Sequence, residues 1–157
     1  MRILLFVSLL FSFNVVFSQD CIVEDRKNKR LVKKIEKQIA RRAFYPALEK
    51  LRAANDFTVF GALKTEILWI QGKFFKAETQ ALNVIDFCPD NFPKVYYFLG
   101  EIAFNRKDYV NADLYLRKSI DLGISDPYYS DAVNLYSKAK VLAEIINNPV
   151  PFAPKVV

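Results

Sequence analysis

The chain reads as an all-α protein of stacked helix pairs, three pairs followed by one closing helix, and three observations lead there. Apolar residues recur at helical spacing through most of residues 24–147, and only 4 Gly interrupt the 157 residues. An alanine that follows an aromatic residue returns at Ala47, Ala77 and Ala112, at intervals of 30 and 35 residues. Each of these alanines is preceded by another stretch of helical periodicity, so the repeated unit is helix, short turn, helix.

Residues 1–18 stand apart from that array. Arg2 is followed by "ILLFVSLLFSFNVVF" and then by Ser18, an apolar run near the lower limit for spanning a bilayer. It reads as a secretory signal with Val16 and Ser18 as the small residues before the cut. The expected mature protein is then exported, periplasmic or outer-membrane associated, with a helical domain over residues 19–147 and a Pro-rich tail over 148–157. Asp20 directly before Cys21 departs from the pattern of an acylated lipoprotein cysteine.

The first helix lies in a strongly basic segment. Residues 26–42 hold nine basic side chains against one acid, Glu36, within a chain of 23 basic and 17 acidic residues. Leu31, Ile35, Ile39 and Ala43 recur every four residues, so the cations fall mostly on the solvated faces of an amphipathic helix. Lys29, Arg30, Lys33 and Lys37 form the candidate surface for an anionic membrane or lipopolysaccharide. An exported protein seldom meets nucleic acid, and none is expected as partner.

The remaining elements follow in order. "AFYPALEKLRAA" supplies the second helix of the first pair, with Phe44, Ala47, Leu51 and Ala54 in register and a connection that reads as shortened. The middle pair runs from Ala62 to Gln71 and then through Phe74, Ala77, Ala81 and Val84 to Pro89. The third pair spans Lys94 to Asn105 and then "RKDYVNADLYLRKSIDL". Gly100 and Ala112 lack bulk where its two helices cross, which lets the axes approach to about 8 Å, while Tyr109 and Leu116 fill the space beside the crossing. Ser119 admits the next helix. Beyond Pro127, with Ser125 or Asp126 suited to cap it, comes a helix with Ala132, Leu135, Tyr136, Ala139, Leu142 and Ile146 on one stripe. A terminal helix of an array covers its neighbour's apolar face and shows water a polar one. The tail "NPVPFAPKVV" holds three prolines and reads as an extended linker.

Cys21 and Cys88 are the only cysteines. The favoured reading is two unpaired thiols, Cys88 acting as a small buried hydrophobe; a single Cys21–Cys88 bridge is the alternative that an oxidising compartment permits. With no histidine, no Gly-rich phosphate loop and no nucleophile turn, no catalytic constellation, metal site or cofactor is expected. Carboxylates such as Asp108 and Asp113 are expected on solvated helix surfaces.

The pattern resembles the tetratricopeptide repeat. Tyr96, Leu99-Gly100, Ala103, Tyr109, Ala112, Leu116 and Ser119 match that family's motif, with Pro127 about three positions late. The middle unit matches in its second half and departs in its first, with Lys64-Thr65 in place of Leu-Gly and Gly61 in place of a bulky residue. The resemblance implies a right-handed α-α superhelix whose first helices line a concave, protein-binding groove. By register it implies Glu66, Trp69, Tyr97, Glu101 and Asn105 as partner-binding residues. The "NPVPF" exit and the tandem repeats are similar to the amino-terminal module of exported Bacteroidetes envelope proteins that continue into a β-propeller and an OmpA-like domain. The function implied is a non-enzymatic interaction scaffold of the cell envelope. An anionic-surface binder is the alternative, and an envelope enzyme a more distant one.

Overall fold

The computed structural model describes residues 21–23, 25–54 and 58–148; the expected signal segment and tail, apart from Asn148, lie outside them. Among the described residues the chain is all-α, with seven helices. They are α1 (Arg26–Ala40), α2 (Phe44–Arg52), α3 (Thr58–Ile70), α4 (Phe74–Phe87), α5 (Pro93–Asn105), α6 (Tyr109–Asp121) and α7 (Tyr129–Asn147). Local chemistry sets several of their starts. Asp25 caps α1 by accepting from the Lys27 and Asn28 N–H groups at 2.8 and 2.9 Å, so this helix begins five residues before its first apolar stripe residue, Leu31. Those backbone bonds hold the Asp25 carboxyl below its ordinary pKa. Pro93 opens α5, where its missing N–H costs nothing, and Asp108 caps α6 through the Asn111 N–H. For α7 neither Ser125 nor Asp126 serves: Tyr128 occupies the cap position with no side-chain bond, after a cis Asp126–Pro127 peptide.

The repeat is written in the backbone as well as in the side chains. Arg42, Gly72 and Lys107 each adopt a left-handed conformation, with φ of 57, 69 and 63°, one in each turn within a pair. Each is flanked by the same two closing bonds. Ala43, Lys73 and Asp108 donate five residues back, to the carbonyls of Gln38, Leu68 and Ala103, and Arg42, Gly72 and Lys107 donate three back, to those of Ile39, Trp69 and Phe104. The first pair therefore turns as the others do. What is short is α2, with 9 residues against 14 in α4, and this accounts for the interval of 30 in place of 35.

Helices consecutive in the chain pack against each other, and α1, α3, α5 and α7 also touch in sequence. The even helices make no such contacts among themselves, so the molecule has an inner layer of odd helices and an outer layer of even ones. The α5–α6 crossing is tight: a Cβ on Gly100 would lie 2.5 Å from Leu116 Cγ and 3.2 Å from its backbone nitrogen. Ala112 and Leu116 are fully buried. Thirty-five residues earlier the bulk is apportioned the other way, with Thr65 for Gly100 and Ala81 for Leu116, both also at zero exposure. The Thr65 hydroxyl is satisfied by the Gly61 carbonyl at 3.0 Å. Ser119, likewise buried, donates to the Pro93 carbonyl at 2.8 Å, which ties α6 to the start of α5.

Two further expectations from the sequence do not hold. Cys21 and Cys88 are joined by a disulfide, with Cα atoms 5.7 Å apart. In an antiparallel stack the odd helices start at the same edge where the even helices end, so the segment before α1 and the residue after α4 meet although 67 positions separate them. On α7, Ala132, Ala139 and Ala143 form the buried stripe and Ile146 is exposed. The outer face of that helix carries Val141, Ile145 and Ile146 in the open, so its surface is more apolar than a terminal cap requires.

Candidate functional site

A groove of about 730 Å³ opens on the inner layer. Its walls come from α1 (Glu36, Ile39, Ala40), α3 (Glu66, Trp69, Ile70) and α5 (Lys94, Glu101), and Pro127 and Tyr128 close one end ahead of α7. Arg42, Gly72 and Phe74, from the two turns and the start of α4, form the opposite rim.

The aromatic floor is assembled by register. Trp69 stacks on Phe98 at 4.7 Å between ring centroids and meets Tyr128 edge-on at 6.4 Å. Tyr97 lies 5.2 Å from the Tyr128 ring. Such pairs hold ring orientations beyond what area burial alone would do. Trp69 thus has two roles, packing on the α5–α7 core on one face and lining the groove with the other.

The polar groups are few and partly covered. Glu66, only 9% exposed, accepts from Lys94 Nζ at 3.4 Å and from the Tyr128 hydroxyl at 3.3 Å. The Lys94 ammonium also sits 5.4 Å over the Tyr128 ring. Burial and the neighbouring Glu66 carboxylate push the Tyr128 hydroxyl up to about 12. Glu101 is half-buried beside the Trp69 indole. Burial raises its carboxyl above the ordinary value, the indole N–H draws it back in part, and the Asp131 carboxylate adds to the rise. Glu101 Oε2 and Trp69 Nε1 are buried and neither meets a partner with full hydrogen-bond geometry, so the indole acts on the carboxylate through proximity.

Of the five residues implied by the resemblance, the structure brings Glu66, Trp69 and Glu101 together in the groove. Tyr97 is 3% exposed and belongs to the core cluster with Phe98 and Leu116. It faces inward because α5 is packed on both flanks and buries eight of its thirteen residues. Asn105 is exposed at the end of α5, outside the groove lining. Glu36, Phe74, Lys94 and Tyr128 line the groove and were missed. For Glu36 a signal was available: it lies eleven residues before Ala47, as Glu66 lies before Ala77 and Glu101 before Ala112.

Lys29, Arg30, Lys33 and Lys37 are all exposed on α1, and none of them lines the groove. A second cleft, about 690 Å³, lies between α2, α3 and α4; its lining includes Arg52, Lys64 and Lys76 and no carboxylate. Asp113, expected to be simply solvated, pairs with Arg117 at 2.6 Å. Among the described residues there is no group of three or more potential metal ligands, and no helix is long and apolar enough to cross a membrane. No family model, curated protein or solved structure matches the chain.

Proposed function

We propose that this chain is a non-enzymatic scaffold of the bacterial cell envelope, of tetratricopeptide-repeat type, that takes a protein or peptide partner in its inner groove. The observation that carries the reading is the groove itself, walled by one helix from each of three consecutive pairs around the half-covered Trp69 ring. Aromatic side chains in such preformed concavities are the usual anchors of protein interfaces, worth about 2 kcal/mol or more each. Three identical intra-pair turns support assignment to a repeat architecture, and such arrays present extended concave surfaces to their partners. Export rests on the sequence of residues 1–18 alone.

The test is recovery of a crosslinked protein partner from envelope extract by the full chain. Trp69→Ala combined with Phe74→Ala, with folding checked by circular dichroism, is expected to lose the partner. A variant with Lys29, Arg30, Lys33 and Lys37 changed to Glu is expected to keep it. A second reading has its own observation: those four cations are exposed and have no ion-pair partner among the described residues. If the basic set alone governs recovery, and recovery falls steeply with salt, the partner is an anionic surface and the groove reading is overturned.

A further inference from the structure

The acids of the groove follow the repeat. Glu36 on α1, Glu66 on α3 and Glu101 on α5 all line it, at the same intervals of 30 and 35 residues that separate Arg42, Gly72 and Lys107 in the turns. Each of α1, α3 and α5 therefore brings one carboxylate to the same level. Glu36 is the single acid among the nine cations of residues 26–42, and of those cations only Arg42 lines the groove.

Two cations oppose this row, and they are not equivalent. Arg42 stands at the rim, whereas Lys94 is engaged by Glu66 and by the Tyr128 ring. That internal contact shows what the groove does with an ammonium, which is to hold it between a carboxylate and an aromatic face. Glu101 and Trp69 repeat the pairing of carboxylate and ring, with no ion pair to Glu101 among the described residues. One oxygen of Glu101 is buried without a hydrogen bond, and Glu36 is exposed. Burial is the main cause that raises the pKa values of Tyr97, Tyr128 and Glu101, and neighbouring carboxylates raise all three further.

We propose that the groove binds an extended basic segment of a protein partner, with a Lys or Arg at about every third residue reading the Glu36, Glu66 and Glu101 row. The spacing follows from geometry. Packed helices lie about 8 to 10 Å apart, and a chain in the extended polyproline II conformation advances about 3.1 Å per residue and returns the same face every third residue, so three residues carry a like-facing side chain from one inner helix to the next. The proposal rests on the groove being the binding surface, and it adds the charge and spacing of what enters.

The probe is a labelled, unstructured nonapeptide with Arg at the first, fourth and seventh positions and Gly or Ser elsewhere, titrated against the full chain by fluorescence anisotropy. Two controls have the three Arg contiguous, or replaced by Glu. The spaced peptide is expected to bind most tightly, and Glu36→Gln with Glu101→Gln to weaken it about tenfold, which corresponds to ~1.4 kcal/mol. Both substitutions preserve side-chain shape, and a melting curve confirms that the variant is folded. Equal binding of the contiguous peptide, or unchanged binding by the double variant, overturns the proposal. If the Glu peptide binds instead and Trp69→Ala with Phe74→Ala abolishes it, the groove remains the binding surface and only its basic specificity fails. If none of the peptides binds, the proposal is overturned, and recovery of a partner through the groove then decides separately whether the scaffold reading survives.

Discussion

The first helix pair and the third are built to one plan and held in place by different means. In the third pair α5 buries eight of thirteen residues, against two of fifteen in α1. The later pairs are also laced by polar contacts: Arg106 to Glu78 and Lys118 to Asp90 at 2.6 Å link the third pair to the second pair and the turn after it, and Ser119 to the Pro93 carbonyl ties the third pair internally. Around α1, burial comes from Ile35 and Ile39, packed with Ala47, Leu51, Phe60 and Leu63. Its other attachment is covalent, through Cys21 to Cys88. Interdigitated bulk secures one end of the array, and a cross-link supplements a thin apolar seam at the other. Because α1 supplies Glu36, Ile39 and Ala40 to the groove, one wall of the binding surface depends on that thinner attachment.

The largest expected effect tests the bulk side of this contrast. Leu116→Ala removes a fully buried side chain from the α5–α6 crossing and should cost about 2 to 5 kcal/mol by denaturant unfolding. Gly100→Ala should cost about 1 to 3 kcal/mol, since its methyl would collide with Leu116. The double variant should cost less than the sum of the two, because the new methyl enters the space that Leu116 vacates. Strict additivity would mean that Gly100 and Leu116 do not share that space.

Replacing both cysteines by Ser addresses the other end. The bridge closes a long loop and its loss should cost about 2 to 4 kcal/mol. Hydrogen exchange should quicken first in α1 and α2 while α5 to α7 stay protected. A uniform rise in exchange would show that the array unfolds as one block and that the contrast between its ends is only geometric.

The smallest effect concerns Glu101. A carboxyl whose folded pKa is raised binds more protons in the folded state than in the unfolded one. Its charging therefore removes stability as pH rises from the ordinary carboxylate range through the raised value. Glu101→Gln should flatten that part of the stability profile and leave the protein slightly more stable at neutral pH. An unchanged profile would place the carboxylate in a better solvated setting than its position against Trp69 indicates.

Much of the architecture was legible because the repeat leaves its mark in spacing. The alanine register located the helix pairs, and Gly100 with Ala112 identified a tight crossing, since lack of bulk at a buried position signals a near neighbour. The turns were less legible. Only Gly72 advertises a left-handed residue, while Arg42 and Lys107 take up that conformation because two backbone bonds close around each of them. Tyr97 was misread as a groove residue because one face of an inner helix looks outward only where no neighbouring helix covers it, and α5 is covered on both sides. The disulfide could be named only as the less favoured alternative, as 67 residues of separation say nothing about proximity until the stacking edge is known.

The cross-link has a mechanical consequence. It joins a residue five positions before α1 to the residue just after α4, and the short stretch from Cys88 to Pro93 is gripped besides by the Tyr96 hydroxyl on the Pro89 carbonyl, by Lys118 on Asp90 and by Ser119 on Pro93. Tension applied along the backbone at Cys21 therefore passes through the two sulfurs to Cys88 and bypasses residues 22–87. Most of the groove lining, Glu36, Glu66 and Trp69 included, sits inside that slack loop. A load on the amino terminus would be borne by α5 and the helices after it, and the first two pairs would keep their shape under a pull that would otherwise peel them away.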